Sequence, residues 1–343
     1  MKRIAIEEHF DSEESVNYLR SRKDYPKIET IEDSKCNRIE VMRYSPDYYS
    51  VRGPLVSRLL DVAEVRLKDM DEAGIDMQVL SFVAPGAEVF DAVTGTALAK
   101  KVNNELSRII MKHPQRFAGF AALAPQDPKG AADELERAVK ELGLKGAKIN
   151  SNIRGEYLDD EKYWVIFERA EKLGVPIYIH PREPSPDMIK PYLTYPSLVG
   201  SMWGYAAEVG LHSMRLICSG VFDKYPGSKI ILGHLGEALP FWLWRLDQRW
   251  QKGEVPLDHL PKKLMKKPSQ YIKDNFFVAT SGMFWQPALI CTYLALGAEN
   301  ILFAVDYPFE SNKEAVQFME TAPICDSDKE KIYHLNAEKL LAL

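Results

Sequence analysis

The sequence is short of cysteine. Cys36, Cys218, Cys291 and Cys325 are the only four in 343 residues, they lie far apart, and no two form a C-x-x-C pair. That excludes a zinc ribbon or a dithiol redox motif and leaves reduced, scattered thiols as the expectation. Long apolar runs are missing as well. The clean apolar stretches, such as Ala238–Trp244, fall far short of the ~20 residues that span a bilayer. Carboxylates at Glu7 and Glu8 arrive before any signal-type apolar segment could form, so a cytoplasmic location is expected. No Lys/Arg run is long enough to act as a nucleic-acid patch, and the net charge is −5. There is no repeat with a period of 20–50 residues and no glycine-rich phosphate loop after a strand.

What is present is ordinary globular composition, 46% hydrophobic and 27% charged, with enough chain for a sizeable core. Apolar periodicity and glycine stops predict a strand-then-helix alternation. Strands are expected at residues 3–7, 77–83, 117–123, 146–150, 175–180, 229–233, 276–280 and 301–306. Helices are expected at 61–73, 96–112, 131–142, 160–173, 213–224, 237–250, 287–296, 313–321 and 327–341. Eight such units imply an α/β fold, a closed (β/α)8 TIM-like barrel, with the whole chain 1–343 as one domain. Two stretches interrupt the repeat on the side where barrel sites are built. One is a lid-like insertion at 11–57, rich in tyrosine (Tyr18, Tyr25, Tyr44, Tyr48, Tyr49). The other, at 183–202, holds Pro184, Pro186, Pro191 and Pro196.

Four expected strands end in polar residues that a strand does not need. The first ends Glu7-Glu8-His9, and alternation puts Glu7 and His9 on one face and Glu8 on the other. The fifth ends at His180, the sixth runs into His234 and the eighth ends at Asp306. In a barrel these ends converge at one mouth, where imidazoles and carboxylates suit a divalent cation such as zinc or manganese. The other histidines, His113, His212, His259 and His334, read as structural.

Segments along the whole chain carry a resemblance. They are E-E-H-F (Glu7–Phe10), R-L-L-D (Arg58–Asp61), A-P-Q-D-P (Ala124–Pro128), K-I-N-S (Lys148–Ser151), Y-I-H-P (Tyr178–Pro181), G-V-F-D-K-Y-P (Gly220–Pro226), G-H-L-G-E-A-L-P (Gly233–Pro240) and A-V-D-Y-P-F (Ala304–Phe309). Together they resemble the amidohydrolase superfamily, and within it the metal-dependent, non-oxidative aromatic acid decarboxylases. The resemblance implies a carboxy-lyase acting on a small ortho-hydroxybenzoate, by ring protonation and then CO2 loss. It implies one divalent metal ion held by Glu7, His9, His180 and Asp306. Asp306 and His234 are the candidates to protonate the ring carbon, with Asp306 preferred. His234 and Glu237 would lie close to the substrate, one helical turn apart. Arg245, two further turns along the same helix, and Arg52, in the first insertion, would meet the substrate carboxylate. Asn150, Phe284 and Tyr307 would line the ring site, with Phe10, Phe82 and Trp285 as further aromatics near the mouth. The family also implies a homodimer or homotetramer.

Two rivals stay open at this level. A lactone or amide hydrolase, or a hydratase, of the same superfamily would bridge two metals with a carboxylated lysine, and Lys148 lies in the fourth strand. An inert barrel used for binding would lack at least one ligand, and none is missing.

Overall fold

The computed structural model describes residues 1–53, 55–185, 187–252 and 264–343; Pro186 and His259 lie outside these. The first strand, β1 (Ile4–Phe10), is buried along its whole length. The insertion after it is not an irregular loop. It holds a helix, Glu13–Ser21, capped by Ser12, and an antiparallel sheet of β2 (Lys27–Glu32), β3 (Arg38–Ser45) and β4 (Tyr48–Val51). A second short helix, Leu55–Leu60, then returns the chain to the barrel.

The remaining strands are β5 (Met77–Phe82), β6 (Phe117–Gly119), β7 (Ala121–Ala122), β8 (Ala147–Asn150), β9 (Ile177–His180), β10 (Ile230–Leu232), β11 (Phe276–Ala279) and β12 (Ile301–Leu302). All pair in parallel: β1 with β5, β5 with β6, and then β7 through β12 in chain order. β6 and β7 are one stave, broken at Phe120, whose N–H still donates to the Leu80 carbonyl at 2.9 Å. The sheet closes because residues just beyond β12 bond back to β1: Ile6 N–H to Phe303 O (3.1 Å), Asp306 N–H to Glu7 O (2.9 Å) and His9 N–H to Tyr307 O (2.7 Å). The result is an eight-stave (β/α)8 barrel, as the alternation predicts.

Two apolar layers follow from strand alternation, interrupted in β1 by a register shift between Ala5 and Glu8. Ile6, Val79, Phe120, Tyr178, Ile231, Ala279 and Leu302 fill the barrel interior. The opposite strand faces pack with Leu106, Leu135, Phe167, Leu216 and Ile332 of the surrounding helices. Each fully buried aliphatic side chain contributes roughly 1.5–3 kcal/mol relative to exposure, so the interior is a rigid plug beneath the strand ends. Among the described residues no helix is long and apolar enough to cross a membrane.

Several boundaries differ from expectation. The expected strand 301–306 forms a ladder only over Ile301–Leu302, because Ala304 N–H bonds to the Thr280 hydroxyl (2.9 Å) and Asp306 adopts φ +83°. The helix expected from residue 213 begins at Gly204. Its first turns contain Gly204 and Gly210, whose poor helix propensity hid it.

On that helix His212 is fully buried, accepts the Leu158 N–H through Nε2 (3.0 Å) and meets the Ser151 hydroxyl through Nδ1 (2.8 Å). Burial, with the Arg215 charge adding to it, lowers its pKa from 6.5 to about 3. The unfolded chain therefore takes up a proton below pH 6.5 that the fold refuses. The contribution is complete above that pH and is lost as pH falls toward about 3, by up to about 1.4 kcal/mol per pH unit. We expect the melting temperature to drop between pH 6.5 and 5, and His212→Gln to drop less steeply over the same range. Parallel slopes for the two proteins would refute the assignment.

Candidate active site

Alternation in β1 turns Glu7 and His9 into the barrel mouth and Glu8 away from it. β9 delivers His180, and the irregular segment after β12 delivers Asp306. One ligand atom from each of Glu7, His9, His180 and Asp306 lies within 4.8 Å of all the others. Each is held from behind. Tyr178 and Ser281 both donate hydrogen bonds to Glu7 Oε2, which leaves Oε1 facing the cluster. A Cβ at Gly233 would fall 2.7 Å from Glu7 Oε2, so that strand end has to be glycine. His180 Nδ1 donates to Asn150 Oδ1 (3.1 Å), and Glu88 accepts the Asn150 backbone N–H (2.6 Å). His9 Nδ1 lies 3.2 Å from Lys148 Nζ, which donates to the Phe82 carbonyl (2.7 Å).

Burial dominates the electrostatics. It lowers the His9 pKa to about 4 and the His180 pKa well below its ordinary value, so both rings are neutral with a free nitrogen lone pair. It raises Glu7 to about 7 and lowers Lys148 to about 8. Glu7 Oε1, His9 Nε2 and Asp306 Oδ1 are buried without a hydrogen-bond partner, although His9 Nε2 and Asp306 Oδ1 lie 2.9 Å apart. Three orphaned acceptor-type atoms aimed at one point, with His180 Nε2 3.3 Å from Glu7 Oε1, are what a single divalent cation satisfies. The donor set fits.

His234 sits beside this cluster, but not as sequence spacing implies. His234, Leu235, Gly236, Glu237 and Ala238 all have positive φ, between +51° and +81°. They form a left-handed turn, where the sequence predicts a right-handed one, and the regular helix starts only at Leu239. Left-handed residues other than glycine cost roughly 1–2 kcal/mol each. The turn brings Glu237 Oε1 to 2.7 Å from His234 Nδ1 and leaves His234 Nε2 3.9 Å from Asp306 Oδ2. Burial alone would depress the His234 pKa, but the Glu237 carboxylate overrides it and holds the imidazole well above 6.5, in its charged form.

A cavity of about 290 Å³ opens above the cluster, lined by His180, His234 and Asp306 on its floor and by Tyr44, Tyr48, Arg52, Tyr205 and Phe309 on its walls. Arg52 is buried there, bonded to Asp11 Oδ2 (3.2 Å) and the Ala84 carbonyl (2.5 Å). Four residues assigned to the substrate from the sequence are placed elsewhere. Asn150 lies behind His180. Tyr307 turns its ring over the Arg66 guanidinium (4.5 Å) and bonds Asp69 (2.9 Å). Phe284 packs on Phe318 (5.8 Å). Arg245 is exposed on the helix Leu239–Lys252. Phe10 and Phe82 are core, and Trp285 is exposed. Sequence reasoning named Tyr44 and Tyr48 only as part of a tyrosine-rich insertion, and it missed Tyr205.

The amidohydrolase family model matches residues 58–343. The chain belongs to the amidohydrolase family. This amidohydrolase is 38% identical to a γ-resorcylate decarboxylase from Polaromonas sp. (strain JS666), over 99% of this chain and 98% of the relative. Its structure is similar to that of 5-carboxyvanillate decarboxylase from Sphingomonas paucimobilis, with a TM-score of 0.89 and 38% identity, covering 100% of this chain and 99% of the other. It is also similar to a dihydroxybenzoic acid decarboxylase from Polaromonas sp. JS666 bearing manganese and the inhibitor 2-nitroresorcinol (TM-score 0.85, 38% identity, covering 100% and 97%). The buried cluster of this amidohydrolase is likewise suited to one metal ion.

Proposed function

We propose that this chain catalyses the metal-dependent, non-oxidative decarboxylation of an ortho-hydroxybenzoate-type acid, with Glu7, His9, His180 and Asp306 holding one divalent cation. The observation that carries this reading is the floor of the cavity. One Asp306 oxygen belongs to the ligand cluster, while the other faces the cavity and the His234–Glu237 pair. The relatives named for γ-resorcylate and 5-carboxyvanillate point to the same substrate class.

A divalent cation bound here supplies Lewis-acid stabilisation for adjacent anionic oxygens and a template that orients the ring. The protein's own groups do the rest. Tyr44, Tyr48, Tyr205 and Phe309 present flat faces for an aromatic ring, and Arg52 offers a guanidinium to a carboxylate. Burial alone would raise the Asp306 carboxyl, but the charged His234 beside it holds it below its ordinary value, so Oδ2 first takes the proton of the substrate's ortho-hydroxyl and then delivers it to the ring carbon that bears the carboxylate. The electron pair of the breaking C–C bond returns to the ring, CO2 leaves, and Asp306 is left ionised. His234, charged through its contact with Glu237, stabilises that carboxylate. In this reading the insertion at 11–57 is a lid, since it contributes Tyr44, Tyr48 and Arg52 to the cavity. The exposed Phe241, Trp242 and Trp244 beside Arg245 suit assembly into a homodimer or homotetramer, and the compartment we assign is the cytoplasm.

The hydrolase alternative is weakened by the place of Lys148. Its amine faces His9 Nδ1, the ring edge opposite the ligand nitrogen, and so does not reach a bridging position. The test is metal content together with CO2 release from a panel of 2,3- and 2,6-dihydroxybenzoate and 5-carboxyvanillate. About one manganese or zinc per chain and CO2 from at least one acid are expected. Two metals and no CO2 from any acid would overturn the reading.

A further inference from the structure

Glu8 points away from the cluster and has no contact with solvent. Its Oε1 accepts the Val305 N–H (2.9 Å), and its Oε2 accepts the Tyr307 N–H (3.2 Å) and a proton of the Gln78 side-chain amide (3.2 Å). The two backbone amides are those on either side of Asp306, whose own N–H bonds to the Glu7 carbonyl at 2.9 Å. Three successive amides are thus tied to Glu7 and Glu8. They need to be, because the regular ladder of β12 stops at Leu302 and Asp306 holds an uncommon positive φ.

Gln78 continues the connection. Its amide oxygen accepts from Arg66 Nη1 (3.2 Å), and Arg66 Nη2 donates to the carbonyl of His9 (2.5 Å). Arg66 is itself fully buried, beneath the Tyr307 ring. The chain Glu8–Gln78–Arg66 therefore grips the segment carrying Glu7 and His9 and the segment carrying Asp306 from the side opposite the cavity.

We propose that Glu8, acting with Gln78 and Arg66, is a positioning residue that sets the spacing of the metal-binding groups and thereby the affinity for the ion. This rests on the metal-site reading above. It differs from a plain stabilising role for a buried carboxylate, which would lower the melting temperature and leave the affinity of the folded protein unchanged. Groups that orient metal-binding side chains typically change affinity by about 10–100-fold when removed.

The experiment is Mn2+ binding to the folded, metal-stripped protein by chelator competition, with the melting temperature of the stripped protein recorded separately. Glu8→Gln turns an N–H donor toward a backbone N–H, and the Mn2+ dissociation constant is expected to rise about 10–100-fold. Gln78→Met leaves both amide bonds of Glu8 intact and removes the link to Arg66. It is expected to give a smaller rise, and it decides the matter if Glu8→Gln does not fold. Glu134→Gln removes another buried carboxylate, one bonded to Asn103 and Arg137, and is expected to lower the melting temperature with no change in Mn2+ affinity. Wild-type affinity in Glu8→Gln, or in Gln78→Met if it alone folds, would overturn the proposal. A wild-type protein that binds no Mn2+ would overturn the site itself, and the proposal with it.

Discussion

Asp306→Asn should lower CO2 release by about 10³-fold or more while the protein still takes up close to one metal per chain. The substitution preserves shape and keeps a carbonyl oxygen that can face the cluster in place of Asp306 Oδ1. It removes the acid. A positioned general acid contributes about 10²–10⁴-fold, and here its loss is compounded by an amide N–H2 placed where a carboxylate faces His234. Metal analysis and single-turnover CO2 release on the same preparation check both halves. Activity within about 10-fold of wild type, with metal bound, would transfer the proton donor's role away from Asp306. Loss of metal along with activity would show only that Asp306 binds the ion.

The cluster of metal-suited side chains was legible because it violates local rules. Glu7, His9, His180, His234 and Asp306 are polar residues at the ends of short apolar strands, where folding alone asks for none, and the barrel brings such ends together. The barrel itself was legible from eight alternating units. What was hidden depends on geometry that single-residue patterns do not carry. Tyr307 follows Asp306 and faces the opposite side, toward Arg66 and Asp69, whereas the sequence counted it among the aromatics near the mouth. Asn150 ends β8 beside His180 and spends its carbonyl on that ring. The small sheet of the insertion was readable in principle, since Ile28 and Val41 mark buried positions in charged surroundings, but short amphipathic strands far from the repeat give a weak signal.

Arg245 shows the cost of assuming a uniform helix. Eight residues from Glu237 is two turns only if every residue between them winds in the right-handed sense. Glu237 and Ala238 wind the other way, and the regular helix begins at Leu239. The angular relation between Glu237 and Arg245 is therefore reset, and Arg245 emerges on the exposed face with Phe241, Trp242 and Trp244. Nothing in G-H-L-G-E-A-L-P announces a left-handed turn beyond its two glycines, because His, Leu, Glu and Ala all favour the opposite hand.

That turn gives the second large effect. His234→Gln should lower kcat by about 10²-fold, less than Asp306→Asn, because it removes a charge that assists the donor and leaves the donor in place. Glu237→Gln should lower kcat by about 10-fold, as the imidazole loses the carboxylate that orients its ring and holds its proton. The decisive measurement is the double variant. Glu237 bonds His234 Nδ1 and does not line the cavity, so it can act on the substrate only through the imidazole. Once the imidazole is gone, removing the carboxylate should cost nothing further, and His234→Gln/Glu237→Gln should match His234→Gln alone. Two residues that act as a unit show this non-additivity, whereas independent contributors multiply. A double variant about 10-fold slower than His234→Gln would mean that Glu237 has a role of its own, and that the strained turn serves more than the aim of one histidine.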